Sequence, residues 1–192
     1  MTIPAFDLGG VLPPFIGTEP GTFASQSPYK TTPEDLIIRF GSSPPRNEIL
    51  RGLLTYRDQL RSAGLQEGFQ WIDGSFVEDK EKTKGLAPGD VDVVTLFKRP
   101  SHLINDANWN PVATTLLPTL FDADYCKAHF HCDAYPIDLG GLSQNVAMLS
   151  AFWFSLFSHQ RTTYRWKGIV QIPLGPAALD AAADAELRRR GA

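Results

Sequence analysis

Apolar residues along this chain fall first at helical spacing and then in short β-branched or aromatic runs, and the change of pattern marks out its elements. Ile49, Leu50, Leu53, Leu54, Tyr56 and Leu60 predict a long amphipathic helix ending near Gly64. Ahead of it, Thr32 as N-cap, Pro33 and the first-turn acids Glu34 and Asp35 predict a short helix to Phe40, stopped by Gly41. Residues 68–72 and 90–97 read as strands, the first running into Gly74-Ser75 and the second ending near Pro100. Asn110-Pro111 opens a helix toward Phe121, residues 127–135 read as a third strand, and Ser143 caps an apolar helix to about Ser158. Residues 168–172 read as a last strand. A helix over residues 176–190 follows, with Asp180, Asp184 and Glu186 ahead of Arg188, Arg189 and Arg190, the order that the helix dipole favours.

The first 28 residues follow neither pattern. Pro4, Pro13, Pro14, Pro20 and Pro28 stand among Gly9, Gly10, Gly17 and Gly21, a composition that forbids long helices and central strands. An extended arm over residues 1–30 is the reading; Phe6, Leu8, Val11, Leu12, Phe15 and Phe23 predict that it lies on the body, with a floppy lead-in as the alternative. Residues 31–192 then form one α+β domain, a small mixed sheet covered by helices, with helical additions at the C-terminus. The length of 192 residues leaves little room for a second domain.

Composition narrows the function. Apolar residues at 43% support a real core, and 18 Lys plus Arg against 21 Asp plus Glu give a net charge of −3 with no general attraction to nucleic acid or anionic membrane. Two cysteines, Cys126 and Cys132, are too few for a disulfide scaffold, and with no secretory pattern at the N-terminus they read as reduced thiols of a cytoplasmic protein. The most apolar stretch, residues 146–157, is shorter than the ~20 residues of a spanning helix. It reads as a buried helix, with Phe152, Trp153, Phe154 and Phe157 as core rather than a base-stacking platform.

The chemistry concentrates in Trp71-Ile72-Asp73-Gly74-Ser75-Phe76 and Gly89-Asp90-Val91-Asp92-Val93-Val94. Strand alternation projects Asp90 and Asp92 from one face while Val91 and Val93 enter the core. Two carboxylates on one face repel and hold protons more tightly unless a cation compensates, and oxygen ligands suit Mg²⁺. Gly74 allows backbone amides to approach a phosphate, and the Ser75 hydroxyl can donate to it. Arg161, Arg165 and Lys167 form a basic cluster ahead of the last strand, suited to triphosphate or acceptor nucleic acid, and equally to a solvated face. Cys126, His129, His131 and Cys132 have no familiar zinc spacing, and neither Gly-x-Ser-x-Gly nor a Gly-Lys-Ser/Thr loop is present.

This arrangement from Gly68 to Asp138 resembles the nucleotidyltransferase superfamily related to DNA polymerase beta, in particular its minimal bacterial branch. The resemblance implies a Gly-Ser turn holding nucleotide phosphates, two carboxylates on one strand and a third on a neighbouring strand, together binding Mg²⁺ or Mn²⁺. Alternation in the predicted third strand puts His129, His131, Asp133 and Tyr135 on one face, so Asp133 is the choice for the third carboxylate and Asp138 the fallback. The resemblance implies that the third carboxylate helps to activate the attacking hydroxyl. The spacer from Phe76 to Gly89 is longer than the family pattern and carries Glu78, Asp79, Lys80, Glu81, Lys82 and Lys84; it reads either as a flexible substrate-facing flap or as erosion of the phosphate turn. The implied activity is transfer of a nucleoside monophosphate from a nucleoside triphosphate to a hydroxyl of protein, RNA or a small molecule. The implied setting is a toxin and antitoxin pair or phage defence, with a protein partner. The competing reading is a binding module of the same fold that has lost catalysis and serves as a nucleotide sensor or neutralising subunit.

Overall fold

The computed structural model describes residues 2–18 and 21–191, so Met1, Pro20 and the Phe23 side chain of the predicted arm lie outside what is described. Among the described residues, five strands form one mixed sheet: β1 (Tyr29–Lys30), β2 (Gly68–Asp73), β3 (Val91–Phe97), β4 (Cys132–Asp138) and β5 (Val170–Pro173), in the order β1-β5-β2-β3-β4. β2 lies antiparallel to β3 and β5, whereas β3 and β4 run parallel, joined by a helical crossover. Among the described residues, seven α-helices surround it: α1 (Pro33–Phe40), α2 (Pro44–Ser62), α3 (Lys80–Lys84), α4 (Asp106–Leu120), α5 (Ala123–Phe130), α6 (Ser143–Phe157) and α7 (Ala177–Arg189). None of the described helices is long and apolar enough to cross a membrane.

The larger core lies on the sheet face that carries Ile72, Val91, Val93 and Ala134, packed by α1, α2, α5 and α7. A Cβ at Gly52 of α2 would lie 2.1 Å from the Phe130 carbonyl oxygen, so the missing side chain is what lets α5 pack closely on α2. Arg57 of α2, fully buried, holds this layer together: its guanidinium donates to Asp180 of α7, to the Gln70 side chain and to the carbonyls of Pro173 and Leu174. The arm is held as its apolar residues predict. Val11 and Leu12 are fully buried and Ile3 nearly so, while Leu8 is exposed.

Three expectations need correction. The predicted third strand over residues 127–135 starts too early, because Asp122 caps α5 by accepting from the Tyr125 amide and α5 runs to Phe130, followed by His131 in a left-handed conformation at φ 53°. Cys126 and Phe130, four residues apart, are the buried stripe of that helix. His129 therefore stacks on Tyr125, with ring centroids 4.0 Å apart, and His131 lies 3.7 Å from Glu48; neither shares a face with Asp133. The helix placed from Asn110 begins at Asp106, because the Asn105 side chain caps it through the Asn108 amide.

The third correction concerns α6. Its apolar composition predicts burial, yet Phe157 is its only fully buried described side chain. Val146, Trp153 and Phe157 cover the second, smaller core formed by Trp71, Val94, Leu96, Ile137 and Ile169, while Met148, Leu149, Phe152, Phe154 and Leu156 remain exposed. Ser143 is the first residue of this helix rather than its cap, and Leu142 in the cap position makes no side-chain cap bond.

Candidate metal centre

Register brings carboxylates together at one end of the sheet. Asp73 at the end of β2 pairs with Asp92 near the start of β3, and Asp92 pairs with Asp133 near the start of β4. Residues directly opposite across paired strands share a face, so the three line up on the side that α6 covers. Asp90, two residues before Asp92, joins them. Asp90, Asp92 and Asp133 each place a carboxylate oxygen within 4.8 Å of the others, as strand alternation predicts for the first two.

The charges crowd as they do in a cation site. Burial, followed by the neighbouring Asp90 and Asp133 carboxylates, pushes the Asp92 carboxyl up to about 6. Burial also pushes Asp73 up to about 7, against the pull of the Lys167 ammonium 3.0 Å away. Among the described residues, Lys127 brings the one ammonium that reaches two of the three: its Nζ lies 2.7 Å from Asp133 Oδ2 and 3.4 Å from Asp90 Oδ2. Buried Asp133 Oδ1 has no hydrogen-bond partner. An all-oxygen donor set, mutual repulsion and an ammonium already drawn to the carboxylates fit a hard divalent cation.

Gly74 belongs to this centre for a steric reason. Its φ is +78°, and a Cβ there would lie 2.6 Å from Asp92 Oδ2 and 2.7 Å from its Cγ. Gly74→Ala is expected to cost at least about 1–2 kcal/mol from the left-handed backbone alone. It should also displace Asp92, measured as a lowered urea midpoint together with weakened divalent-ion binding. Residues Gly74–Val77 form a single 3-10 turn in which Phe76 is buried, so Phe76 does not open a longer helix.

The surrounding cleft has a volume of about 300 Å³ and is lined by Asp73, Gly74, Ser75, Asp90, Asp92 and Asp133, with cationic Lys80, Lys84, Lys127, Arg161 and Lys167. Of the basic cluster read from the sequence, Arg161 faces this cleft. Arg165 does not: its guanidinium lies 3.7 Å from Asp7 of the arm. Lys167 is present but only 4% exposed, its Nζ donating to the Gly74 carbonyl and pairing with Asp73 and Glu78, so it holds the turn instead of offering a free charge. Asp138, at the far end of β4, pairs with Arg99 at 2.7 Å and takes no part.

Residues 4–173 match the model of DUF6932, a family of unknown function. The chain belongs to DUF6932. No curated protein and no solved structure matches it. The matched region of this DUF6932 chain includes every residue of the carboxylate centre and the arm from Pro4 onward.

Sequence reasoning missed Asp73, Glu78 and Lys127. Asp73 was readable only as the residue before Gly74-Ser75, since its rank beside Asp92 depends on strand register. Lys127 was hidden by the strand placed over α5; the signal that finds it is the Asp122 cap, which turns Lys127 back toward Asp133 from the end of a helix. Cys132 is core, as read, and burial first of all pushes the Cys126 thiol up to about 11 and the Cys132 thiol well above its ordinary value, which keeps both un-ionised.

The Asp92 shift has a stability consequence. A carboxyl raised in the folded state binds its proton more tightly folded than unfolded, so its contribution is present at low pH and is lost as pH rises through about 6. In chelator, wild-type protein should lose roughly 2 kcal/mol from this group between pH 4 and pH 7, a loss that Asp92→Asn removes and divalent cation reverses. Urea denaturation of both proteins at the two pH values checks it; parallel pH curves would contradict it.

Proposed function

We propose that this chain is a metal-dependent nucleotidyltransferase that moves a nucleoside monophosphate from a nucleoside triphosphate to a hydroxyl group. The observation that supports it is the convergence of Asp90, Asp92 and Asp133 from two parallel neighbouring strands, beside a Gly74 turn that has no room for a side chain. A divalent cation, Mg²⁺ or Mn²⁺, held by these three carboxylates would supply neutralisation of phosphate charge and a more acidic acceptor hydroxyl. Asp90 and Asp92 hold one edge of that centre rigidly, because Val91 and Val93 between and beyond them are buried. Asp133 takes the acceptor's proton at Oδ2, the oxygen that now meets Lys127. The acceptor oxygen then bonds to the α-phosphorus, and the bond from that phosphorus to the bridging oxygen breaks to release pyrophosphate. Ser75 and Arg161 line the cleft where the phosphates are placed. Lys167 orients the turn through the Gly74 carbonyl.

A binding module without turnover is the second reading, favoured by the Lys127 ammonium, which already neutralises Asp133 and Asp90. Incubation with labelled ATP, CTP, GTP and UTP plus Mg²⁺ or Mn²⁺ separates the two. The acceptors offered are the protein itself, RNA, small hydroxyl compounds and a protein partner of toxin or antitoxin type. Labelled product supports the enzyme; metal-dependent nucleotide binding with no product on any acceptor supports the module.

A further inference from the structure

The cations lining the cleft fall into two sets. Lys127 and Lys167 are committed to the protein's own carboxylates. The side chains of Lys80, Lys84 and Arg161 make no hydrogen bond or ion pair among the described residues, although Arg161 lies close enough to lower the proton affinity of Asp92. Three cations without an ion-pair partner on the wall of one concave site, next to carboxylates that attract a divalent ion, are arranged for a polyanion that arrives with its metal.

The placement of the two lysines is built rather than incidental. α3 is five residues long and has no buried residue of its own, so nothing in its composition fixes it. Arg46 of α2 does so from beneath. Its side chain is 3% exposed; it donates to the carbonyls of Phe76 and Glu78 at 2.7 and 2.6 Å and grips Glu81 of α3 through two nitrogens at 2.6 and 2.8 Å. The arm adds a further tie, the Asp79 amide donating to the Gly10 carbonyl at 2.8 Å. With Glu81 turned toward α2, Lys80 and Lys84, four residues apart on one helix stripe, both line the cleft, whereas exposed Lys82 does not. These contacts dock the spacer beside the cleft, which corrects its sequence reading as a flexible flap.

We propose that Lys80 and Lys84 of α3, together with Arg161 of the segment after α6, form a clamp for the polyphosphate chain of a nucleoside triphosphate. The identity of that ligand rests on the nucleotidyltransferase reading; the clamp itself rests on the cations and on the Arg46–Glu81 anchor. It assigns the spacer a role in gripping the phosphates beyond the one attacked, so that nucleoside triphosphate is held in preference to monophosphate.

Calorimetric titration of the full chain with ATP, AMP, inorganic tripolyphosphate and adenosine, each with Mg²⁺, tests this. Wild-type protein should bind ATP most tightly, tripolyphosphate next, and AMP and adenosine weakly. Lys80→Ala with Lys84→Ala should weaken ATP and tripolyphosphate about tenfold or more, leave Mn²⁺ binding unchanged, and leave AMP nearly unaffected. Lys82→Ala, on the other side of the same turn, should stay within about twofold of wild type. ATP affinity unchanged in the double variant, or an equal loss in Lys82→Ala, overturns the clamp. Tripolyphosphate bound more tightly than ATP overturns its assignment to nucleotides. ATP held through these lysines with no transfer to any acceptor supports the clamp while removing the transferase.

Discussion

Alanine at both Asp90 and Asp92 is expected to reduce nucleotidyl transfer on the order of 10³-fold or more, because charge stabilisation by a bound cation is worth several kcal/mol in the transition state. The same substitution should raise the stability of the metal-free protein. Asp92 is held near a proton affinity of about 6 by burial and by the charges of Asp90 and Asp133, a repulsion that the fold tolerates and that alanine removes. Opposite signs in the two measurements mark a group kept for chemistry at a cost in stability. A loss of activity that merely tracked a loss of folded protein would contradict this account. Transfer rates and urea midpoints in chelator, measured on one preparation, separate the outcomes.

The second large effect lies behind the cleft. Lys167→Met should destabilise the protein by about 3–5 kcal/mol, since it removes the cation from Asp73 and Glu78 and leaves buried carboxylates unpaired. Lys167 is 4% exposed, Asp73 1% and Glu78 7%, so little water can take the place of the ammonium. The expected loss should be partly recovered in Lys167→Met with Asp73→Asn, where the charge is deleted along with its partner. A change below about 1 kcal/mol in the single variant would show that the cluster is better solvated than its burial implies.

How much of this could be read from the chain depended on whether local pattern or pairing decided the matter. Asp-Val-Asp-Val-Val was legible, because alternation alone fixes which side chains share a face, and Val91 and Val93 opposite the carboxylates are fully buried. Asp133 was chosen from an alternation that began too early. The stretch His129-Phe130-His131-Cys132 mimics a strand in period, but Phe130 is buried as a helix residue four after Cys126, and His131 turns left-handed to end that helix. Asp133 survived because the true strand starts one residue before it.

Other features were not local. Apolar composition cannot say what covers a helix, and in α6 it predicted burial where the sheet offers only enough surface for Val146, Trp153 and Phe157. Arg161, Arg165 and Lys167 lie within seven residues, yet one faces the cleft, one meets the arm and one is buried under the turn. Asp73, Glu78 and Lys127 gained their places from β2–β3 register, from the 3-10 turn and from the end of α5, none of which a linear motif records.

Divalent-ion binding is the property that the carboxylate centre must show. Calorimetric titration of Mn²⁺ into chelator-stripped wild-type protein at pH 7.5 should show saturable binding that raises the melting temperature. In Asp90→Asn with Asp92→Asn, folded to the same extent by circular dichroism, that binding should be absent. Saturable binding that persists unchanged in the double variant, or no saturable binding by the wild type, would contradict the assignment of Asp90, Asp92 and Asp133 as a metal centre.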